Sequence, residues 1–335
     1  MWRSASARNR PDRPRAHRRA IPVVLLLGLC LGSSTPAVAG QSQAILFVPD
    51  RTAGPGEETF AEAILLRKGI LGLISGGIQG ETLLFLDPSG SPLARKLTDP
   101  SGMARTALRA PSSGLVRIRV ELVENPRFKA EPDTGRIFVW NNTRPPFFVC
   151  VEGGLLRQPA GPSSILPSWG RGDELPGSRE TLNRLCPAFD LAYFTRAPRS
   201  EYPSVRRWIK DQGFPDGPVL ALGPGPGLPQ QTPPSAAQVR VLQSLWKNRR
   251  KPAYLVTADR AFAQAAAESG FVTYLLVSEP DGPSETGEEP SSGSGEGNHP
   301  VRIRGWEGLD PSHRTPGETK RGTSGEEKGK ERKRP

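Results

Sequence analysis

The chain has 335 residues, 24% of them charged, and a formal net charge of +11. The first 39 residues carry seven arginines and one aspartate, so only +5 remains for the rest of the chain. That excess is too small and too scattered to indicate nucleic-acid binding. The three histidines, His17, His299 and His313, lie near the two ends of the chain, which excludes a Ser–His–Asp or Cys–His site in a folded centre.

Residues 1–39 have the pattern of a bacterial-type secretory signal peptide. A basic start precedes an apolar run over residues 21–32, and the small residues Ala37-Val38-Ala39 follow. The apolar run is shorter than the roughly 20 residues that span a bilayer as a helix. We therefore expect cleavage before Gly40 and an exported protein, periplasmic or extracellular. An uncleaved membrane anchor is the alternative.

Residues 41–145 have the pattern of an all-β domain. Short apolar or alternating runs are separated by turn clusters such as Asp99-Pro100-Ser101-Gly102. The clearest alternation of apolar and polar residues covers 114–122. The other expected strands cover residues 44–48, 81–86 and 136–140, and a further strand pair within 66–75 stays open. The pattern predicts a small β-sandwich.

Three short stretches in this region, 54–58, 80–82 and 98–105, resemble bacterial immunoglobulin-like domains of surface and secreted proteins. The resemblance implies an immunoglobulin-like sandwich. Domains of this kind serve as spacers or as adhesion modules, and both roles remain open.

Residues 146–278 have the pattern of an α/β domain. Continuous apolar runs lack any alternation, as expected of strands that are buried on both faces. They cover residues 146–151, 190–194, 218–222, 253–256 and 273–277. Stretches with helical spacing lie between them, over residues 205–212, 235–248 and 260–269. Alternating strands and helices predict a parallel sheet.

Residues 279–335 are poor in apolar residues and rich in Gly, Pro, Ser and charged residues. A segment of this composition buries too little surface to offset its chain entropy, so we expect a disordered tail. Its last sixteen residues hold seven Lys or Arg against three Glu. A basic end is compatible with contact to an anionic surface at the cell envelope, and equally with simple solvation.

Three places in the α/β region carry a second resemblance. Residues 148–156 place Cys150 and Glu152 at the end of the first strand, ahead of two glycines. Residues 190–198 end the second strand at Thr195, and a helix ending in Gly-Phe-Pro follows. Residues 252–259 end at Asp259. These motifs resemble the haloacid dehalogenase superfamily of phosphotransferases, and within it the lipin-type and App1-type phosphatidate phosphatases.

The resemblance implies roles for four positions. The family has an Asp-x-Asp motif after its first strand, in which the first aspartate is the nucleophile and the second is the acid–base. Here Cys150 takes the nucleophile position and Glu152 the acid–base position. Thr195 matches the residue that binds phosphate, and Asp259 matches an acid that helps to hold magnesium. We expect the four side chains to share one crevice at the carboxyl ends of adjacent parallel strands.

The departures from the family pattern argue against catalysis. A cysteine at position 150 removes the carboxylate nucleophile and also a hard oxygen ligand for Mg²⁺. Glu152 is longer than aspartate by one methylene, and catalysis tolerates displacements near 1 Å poorly. The family lysine has no good match, because Lys247 and Lys251 both lie nearer the strand than the family spacing requires. We interpret Cys150 as a small buried hydrophobe and Cys186 as a second free thiol.

The sequence therefore predicts an exported two-domain protein with a sandwich, a degenerate haloacid-dehalogenase-like domain of three layers and a disordered tail. The expected function is non-catalytic binding or scaffolding at the cell envelope, without a cofactor and with no named partner. Two alternatives remain. One is a Mg²⁺-dependent phosphatase that acts on phosphatidate or another phosphomonoester, and the other is surface adhesion by the sandwich.

Overall fold

The structure is a computed structural model that describes residues 41–69, 74–157, 172–223, 235–246, 251–277 and 299–309. The predicted signal peptide and most of the predicted tail lie outside these residues. Within the described ranges, no helix combines the length and the apolar character needed to cross a bilayer.

Two mainly antiparallel sheets make up the first part of the chain. Its strands are β1 (Ser42–Phe47), β2 (Arg51–Ala53), β3 (Glu58–Lys68), β4 (Ile74–Gly77), β5 (Thr82–Leu86), β6 (Pro92–Leu97), β7 (Met103–Arg109), β8 (Gly114–Leu122), β9 (Phe128–Lys129) and β10 (Asp133–Val139). One sheet has the order β4-β3-β1-β9, with β7 also paired to β3, and the other has the order β2-β10-β8-β5-β6. β1 pairs with β9, and β10 with β2, in parallel.

The two sheets enclose a common apolar core, which includes Leu65, Phe85, Val120 and Ile137. Residues 42–139 therefore form the β-sandwich that the alternation predicts. Sequence reasoning missed β6 because nearly all of its residues are exposed. It missed β7 because its sequence, MARTALR, has only a weak apolar alternation.

The second part alternates strands and helices. Its elements are β11 (Pro146–Cys150), α1 (Ser178–Leu185), β12 (Asp190–Thr195), α2 (Tyr202–Asp211), β13 (Val219–Ala221), α3 (Ser235–Ser244), β14 (Tyr254–Thr257), α4 (Arg260–Glu268), β15 (Val272–Leu276) and β16 (Val301–Ile303). They form one parallel sheet with the order β13-β12-β11-β14-β15-β16. This is the 3-2-1-4-5-6 order of doubly wound folds, whose direction of winding reverses between β11 and β14.

Helices cover both faces of the parallel sheet. Phe147 and Val149 of β11 belong to an apolar cluster that includes residues of α1 and α2. Their neighbours Phe148 and Cys150 belong to a second cluster with residues of α3 and α4. Because successive residues of a strand point to opposite faces, β11 is buried on both sides, as its unbroken apolar run predicts.

Residues 299–309 are ordered and belong to the α/β part, so the prediction of disorder over 279–335 is wrong for them. β16 pairs in parallel with β15, and Trp306 in the following 3-10 turn is only 1% exposed. The prediction was based on the polar composition of the whole tail and overlooked a short group of apolar residues within it. These residues pack into the core and add the last strand of the sheet: Val301, Ile303, Trp306 and Leu309.

The sandwich and the α/β part pack together as one compact unit. Phe47 of β1 stacks on Tyr202 of α2, with ring centroids 5.7 Å apart. The Tyr202 hydroxyl accepts a 2.7 Å hydrogen bond from the backbone N–H of Asp50. The buried Asp50 carboxylate accepts from Arg136 of β10 at 2.7 Å and from the N–H of Val219 at 3.2 Å. Apolar and charged contacts together therefore hold the two parts in a defined orientation.

Candidate functional site

The structure brings the four predicted site residues to one edge of the parallel sheet. Cys150 is the last residue of β11, and Thr195 is the last residue of β12. Glu152 follows β11 by two residues, and Asp259 follows β14 by two residues. Because β11 lies between β12 and β14, the four residues meet where the direction of winding reverses, which is where open α/β sheets place their ligands.

A tight turn after β11 carries Glu152 toward β12. The N–H groups of Leu155 and Leu156 both donate to the carbonyl of Val151, at 3.1 and 3.0 Å. Gly153 has a φ of +76°, which favours glycine. A side chain at Gly154 would put its Cβ 2.0 Å from the carbonyl oxygen of Cys150, so only glycine fits there.

The Glu152 carboxylate fills a ring of hydrogen-bond donors at the end of β12. Its Oε1 accepts from the Thr195 hydroxyl and from the N–H of Ala197 at 3.2 Å. Its Oε2 accepts from the N–H of Arg196 at 3.1 Å. A hydroxyl and two successive backbone N–H groups together form an anion-binding arrangement. Hydrogen bonds to an ionised acceptor are about twice as strong as those between neutral groups. The protein's own carboxylate occupies the place that an anionic ligand would take.

Asp259 is held by two partners of its own. It forms an ion pair with Arg196, and its Oδ1 accepts a 2.9 Å hydrogen bond from the N–H of Phe262 at the start of α4. Partial burial acts in the opposite direction, but the Phe262 N–H and the Arg196 guanidinium hold the pKa of Asp259 below its ordinary value. Asp259 is therefore an ionised helix cap bound to an arginine.

Sequence reasoning missed Arg196, which links three parts of the site. Its backbone binds Glu152, its Nη1 binds Asp259, and its Nε donates to Gln238 of α3 at 3.0 Å. The available signal was its position directly after Thr195, since the residue that follows a parallel strand lies at the ligand-binding edge.

The Cys150 thiol is poorly suited to nucleophilic chemistry. Its side chain is completely buried, and its Sγ donates to the backbone carbonyl of Glu152 at 3.2 Å. Burial and the nearby Glu152 carboxylate raise the pKa of Cys150 well above its ordinary value. Reactive cysteines need the opposite shift. Cys186, half-buried, lies before β12 at the other end of the sheet, and both cysteines are free thiols.

The residues at this edge do not fit a magnesium ion. Mg²⁺ requires oxygen ligands in near-octahedral geometry. Cys150 offers a protonated sulfur, both oxygens of Glu152 are engaged by donors of β12 and its following loop, and Asp259 is bound to Arg196. Across the described ranges, no three His, Cys, Asp or Glu side chains are arranged to hold a metal.

Of the two candidates for the family lysine, the structure describes only Lys251. Lys251 donates to the carbonyl of Thr143, which lies before β11 at the opposite edge of the sheet. Lys247 lies outside the described residues.

Two surface clefts of about 750 and 550 Å³ are present, and none of Cys150, Glu152, Thr195 and Asp259 lines either of them.

No protein-family model matches the chain, and no curated protein matches it. Among solved structures, fibronectin(III)-like modules of CbhA from Clostridium thermocellum are similar at 16% identity over 29% of this chain and 96% of theirs, with a TM-score of 0.20. A CARDB domain from Pyrococcus furiosus is similar at 14% identity over 32% of this chain and 100% of its own, with a TM-score of 0.19. TM-scores this low carry no argument about the fold. The assignment of a β-sandwich is therefore based on the strand pairing of this chain itself.

Proposed function

We propose that this chain is an exported, non-catalytic protein in which a degenerate haloacid-dehalogenase-like domain serves as a binding or scaffolding unit at the cell envelope. The observation that carries the proposal is the occupation of the anion-binding donors by Glu152. The hydroxyl of Thr195 and the N–H groups of Arg196 and Ala197 all donate to its carboxylate.

The extra methylene of glutamate, compared with aspartate, explains how the site is filled. It extends the carboxylate far enough to reach the donors that follow β12, where a substrate phosphate would have to bind. A phosphate could enter only by displacing an anion that already has three donors. With a buried, protonated Cys150 beside it, the site holds neither a free acid–base nor a nucleophile.

Two features favour the family resemblance itself. The strand with the first motif, β11, lies directly between the strands with Thr195 and with Asp259, which is the arrangement that the resemblance implies. The glycines after Glu152 are also required by the turn, since Gly154 has no room for a side chain.

We propose further that the sandwich is immunoglobulin-like and acts as a rigid part of the binding unit. Its packing against α2 and β13 through Phe47 and Asp50 supports this role. A flexible spacer would not share a buried carboxylate with its neighbour.

Hydrolysis of p-nitrophenyl phosphate, with and without Mg²⁺, tests the absence of catalysis. We expect turnover by the purified chain to be no greater than that of its Glu152→Ala variant. Mg²⁺-dependent turnover that disappears in Glu152→Ala would overturn the proposal, whereas activity that both proteins share would identify a contaminant.

A restored site is the complementary test. The double variant Cys150→Asp, Glu152→Asp returns both family carboxylates and shortens the side chain that fills the donors. We expect slow Mg²⁺-dependent hydrolysis to appear in it and to be lost again in Thr195→Ala. The matched control is Cys186→Asp, which adds a carboxylate at the other end of the sheet.

Export is tested separately. The basic start, the apolar run and Ala37-Val38-Ala39 motivate it. After expression in a bacterium, N-terminal sequencing of the periplasmic or secreted protein should begin near Gly40. Recovery of the intact chain from the cytoplasm alone would contradict export.

A further inference from the structure

A second charged cluster lies on the outer face of β3, where the sandwich meets the α/β part. Ile64 and Leu66 on this face belong to the apolar cluster shared with the α/β part. Glu62 and Phe60 continue the same face toward the start of the strand, because strand side chains alternate. The Glu62 side chain is buried, and only 2% of its surface is exposed.

Three arginines converge on this single carboxylate. Oε2 of Glu62 accepts from Nη2 of Arg51 on β2 at 2.7 Å and from Nε of Arg105 on β7 at 2.9 Å. Oε1 lies 3.3 Å from Nη1 of Arg199, which follows β12 in the α/β part. We call Arg51, Glu62, Arg105 and Arg199 the three-arginine site. It combines residues from both sheets of the sandwich with one from the α/β part.

The three-arginine site has more positive charge and more donors than Glu62 can balance. Three guanidiniums and one carboxylate leave a formal charge of +2. Each guanidinium has about five N–H donors, whereas one carboxylate offers about four acceptor positions. The Nε atoms of Arg51 and Arg199 are buried and have no hydrogen-bond partner among the described residues. Buried donors of this kind are rare in folded proteins and call for an explanation.

The surroundings hold the arginines in place rather than neutralise them. The ring of Phe60 lies 4.2 Å from the guanidinium carbon of Arg51 and 5.2 Å from that of Arg105. Burial lowers the pKa of Arg51, Glu62 partly offsets that effect, and the charges of Arg105 and Arg199 lower it further. The cluster is also accessible from solvent, since Arg105 is 53% exposed and Arg199 is 27% exposed.

We propose that the three-arginine site binds a small oxyanion group, a phosphate or a carboxylate, between the sandwich and the segment after β12. An oxyanion accepts from the solvent-exposed N–H groups of Arg105 and Arg199, and guanidiniums match its geometry with paired hydrogen bonds. The inference does not depend on the degenerate site, because it uses none of the residues around Glu152. The competing explanation is a purely structural clamp whose spare donors bind water.

Titration calorimetry of the purified chain with inorganic phosphate, at constant ionic strength, tests the proposal. We expect saturable binding that weakens about tenfold in Arg105→Gln, equivalent to about 1.4 kcal/mol. Arg105 is more than half exposed, so its replacement should leave the fold intact. The control is Arg119→Gln, which removes an exposed arginine paired with Glu121 on β8 and should leave binding unchanged. Citrate and acetate in place of phosphate distinguish a phosphate ligand from a carboxylate ligand.

Glu62→Gln gives a second readout that a structural clamp would not produce. Removing the internal carboxylate raises the formal charge of the site to +3. We therefore expect Glu62→Gln to bind phosphate more tightly than the parent chain. We also expect it to melt at a lower temperature, and added phosphate should raise the melting temperature of Glu62→Gln more than that of Arg105→Gln. The proposal is overturned if the parent chain shows no saturable binding of any of the three anions. It is also overturned if the parent, Arg105→Gln and Glu62→Gln bind them equally well.

Discussion

The indole N–H of Trp306 donates a 2.8 Å hydrogen bond to the backbone carbonyl of Gly154. Trp306 lies in the 3-10 turn after β16, and Gly154 lies in the turn that presents Glu152 to the donors of β12. A segment near the end of the chain therefore helps to hold the loop of the candidate site, although more than 150 residues separate the two partners.

Replacing Trp306 tests how much this segment stabilises the fold. Trp306→Phe leaves the buried carbonyl of Gly154 without its donor and removes part of a buried side chain. We expect the free energy of unfolding to fall by about 2–3 kcal/mol. Urea denaturation followed by circular dichroism measures the change. Glu307→Ala, at the exposed neighbouring residue, should change the stability by less than about 0.5 kcal/mol. Equal effects of the two changes would contradict burial of Trp306.

The filled anion site predicts a stabilising role for Glu152. Glu152→Gln keeps the size of the side chain but replaces one carboxylate oxygen with an NH₂ group, which cannot accept a hydrogen bond. Two backbone N–H groups and a hydroxyl donate to this carboxylate in the parent chain. At least one donor then loses its acceptor, so we expect a loss of about 1–3 kcal/mol. The same urea experiment on Glu180→Gln, an exposed glutamate of α1, provides the control. A Glu152→Gln protein as stable as the parent would show that the carboxylate does not fill this site.

The contact between the sandwich and the α/β part predicts joint unfolding. Asp50→Ala removes the buried carboxylate that pairs with Arg136 and accepts from the N–H of Val219, a change that typically costs about 3–5 kcal/mol. We expect calorimetry to show one transition for the parent chain and a large decrease in melting temperature for Asp50→Ala. Asp216→Ala removes the other, largely exposed partner of Arg136 and should cost less than about 1 kcal/mol. Two separate transitions in the parent chain would contradict a shared core.

The buried thiol of Cys150 predicts a specific dependence of stability on pH. Because the folded state raises its pKa, the folded thiol stays protonated while the unfolded thiol ionises near pH 8.5. Below that pH the buried thiol makes its full contribution to the free energy of unfolding. As the pH rises further, this contribution falls by up to about 1.4 kcal/mol per pH unit.

The comparison of the parent with Cys150→Ala isolates this effect, since both retain Cys186 and all tyrosines. Between pH 8 and 10 we expect the parent to lose about 2 kcal/mol more unfolding free energy than the variant. Urea denaturation at a series of pH values measures the difference. Parallel pH profiles for the two proteins would show that the folded state does not perturb the thiol.

Several features could be predicted because they depend on local pattern. The alternation over residues 114–122 predicts β8, and the unbroken apolar runs that begin at Pro146 and Asp190 predict β11 and β12. Burial on one face or on two is encoded in the spacing of apolar residues along a single strand. The placement of Cys150, Thr195 and Asp259 at one edge also follows from sequence, because parallel strands end on the same side of their sheet.

Other features follow only from contacts between distant residues. Helix α1 was missed because its sequence, SRETLNRL, is mostly polar, and its apolar residues Leu182 and Leu185 pack in the core beside the sheet. β16 was missed because three residues in a polar segment become a strand only beside β15.

The sequence by itself therefore determined the two fold classes and the identity of the residues at the carboxyl ends of the parallel strands. The tertiary structure decided what those residues do. Glu152 reaches the donors after β12, Arg196 turns to Asp259, and Arg199 reaches Glu62 across the boundary between sandwich and α/β part. Hydrogen bonds and ion pairs depend on distances of a few ångströms between groups that are far apart along the chain. Local patterns carry no information on such distances.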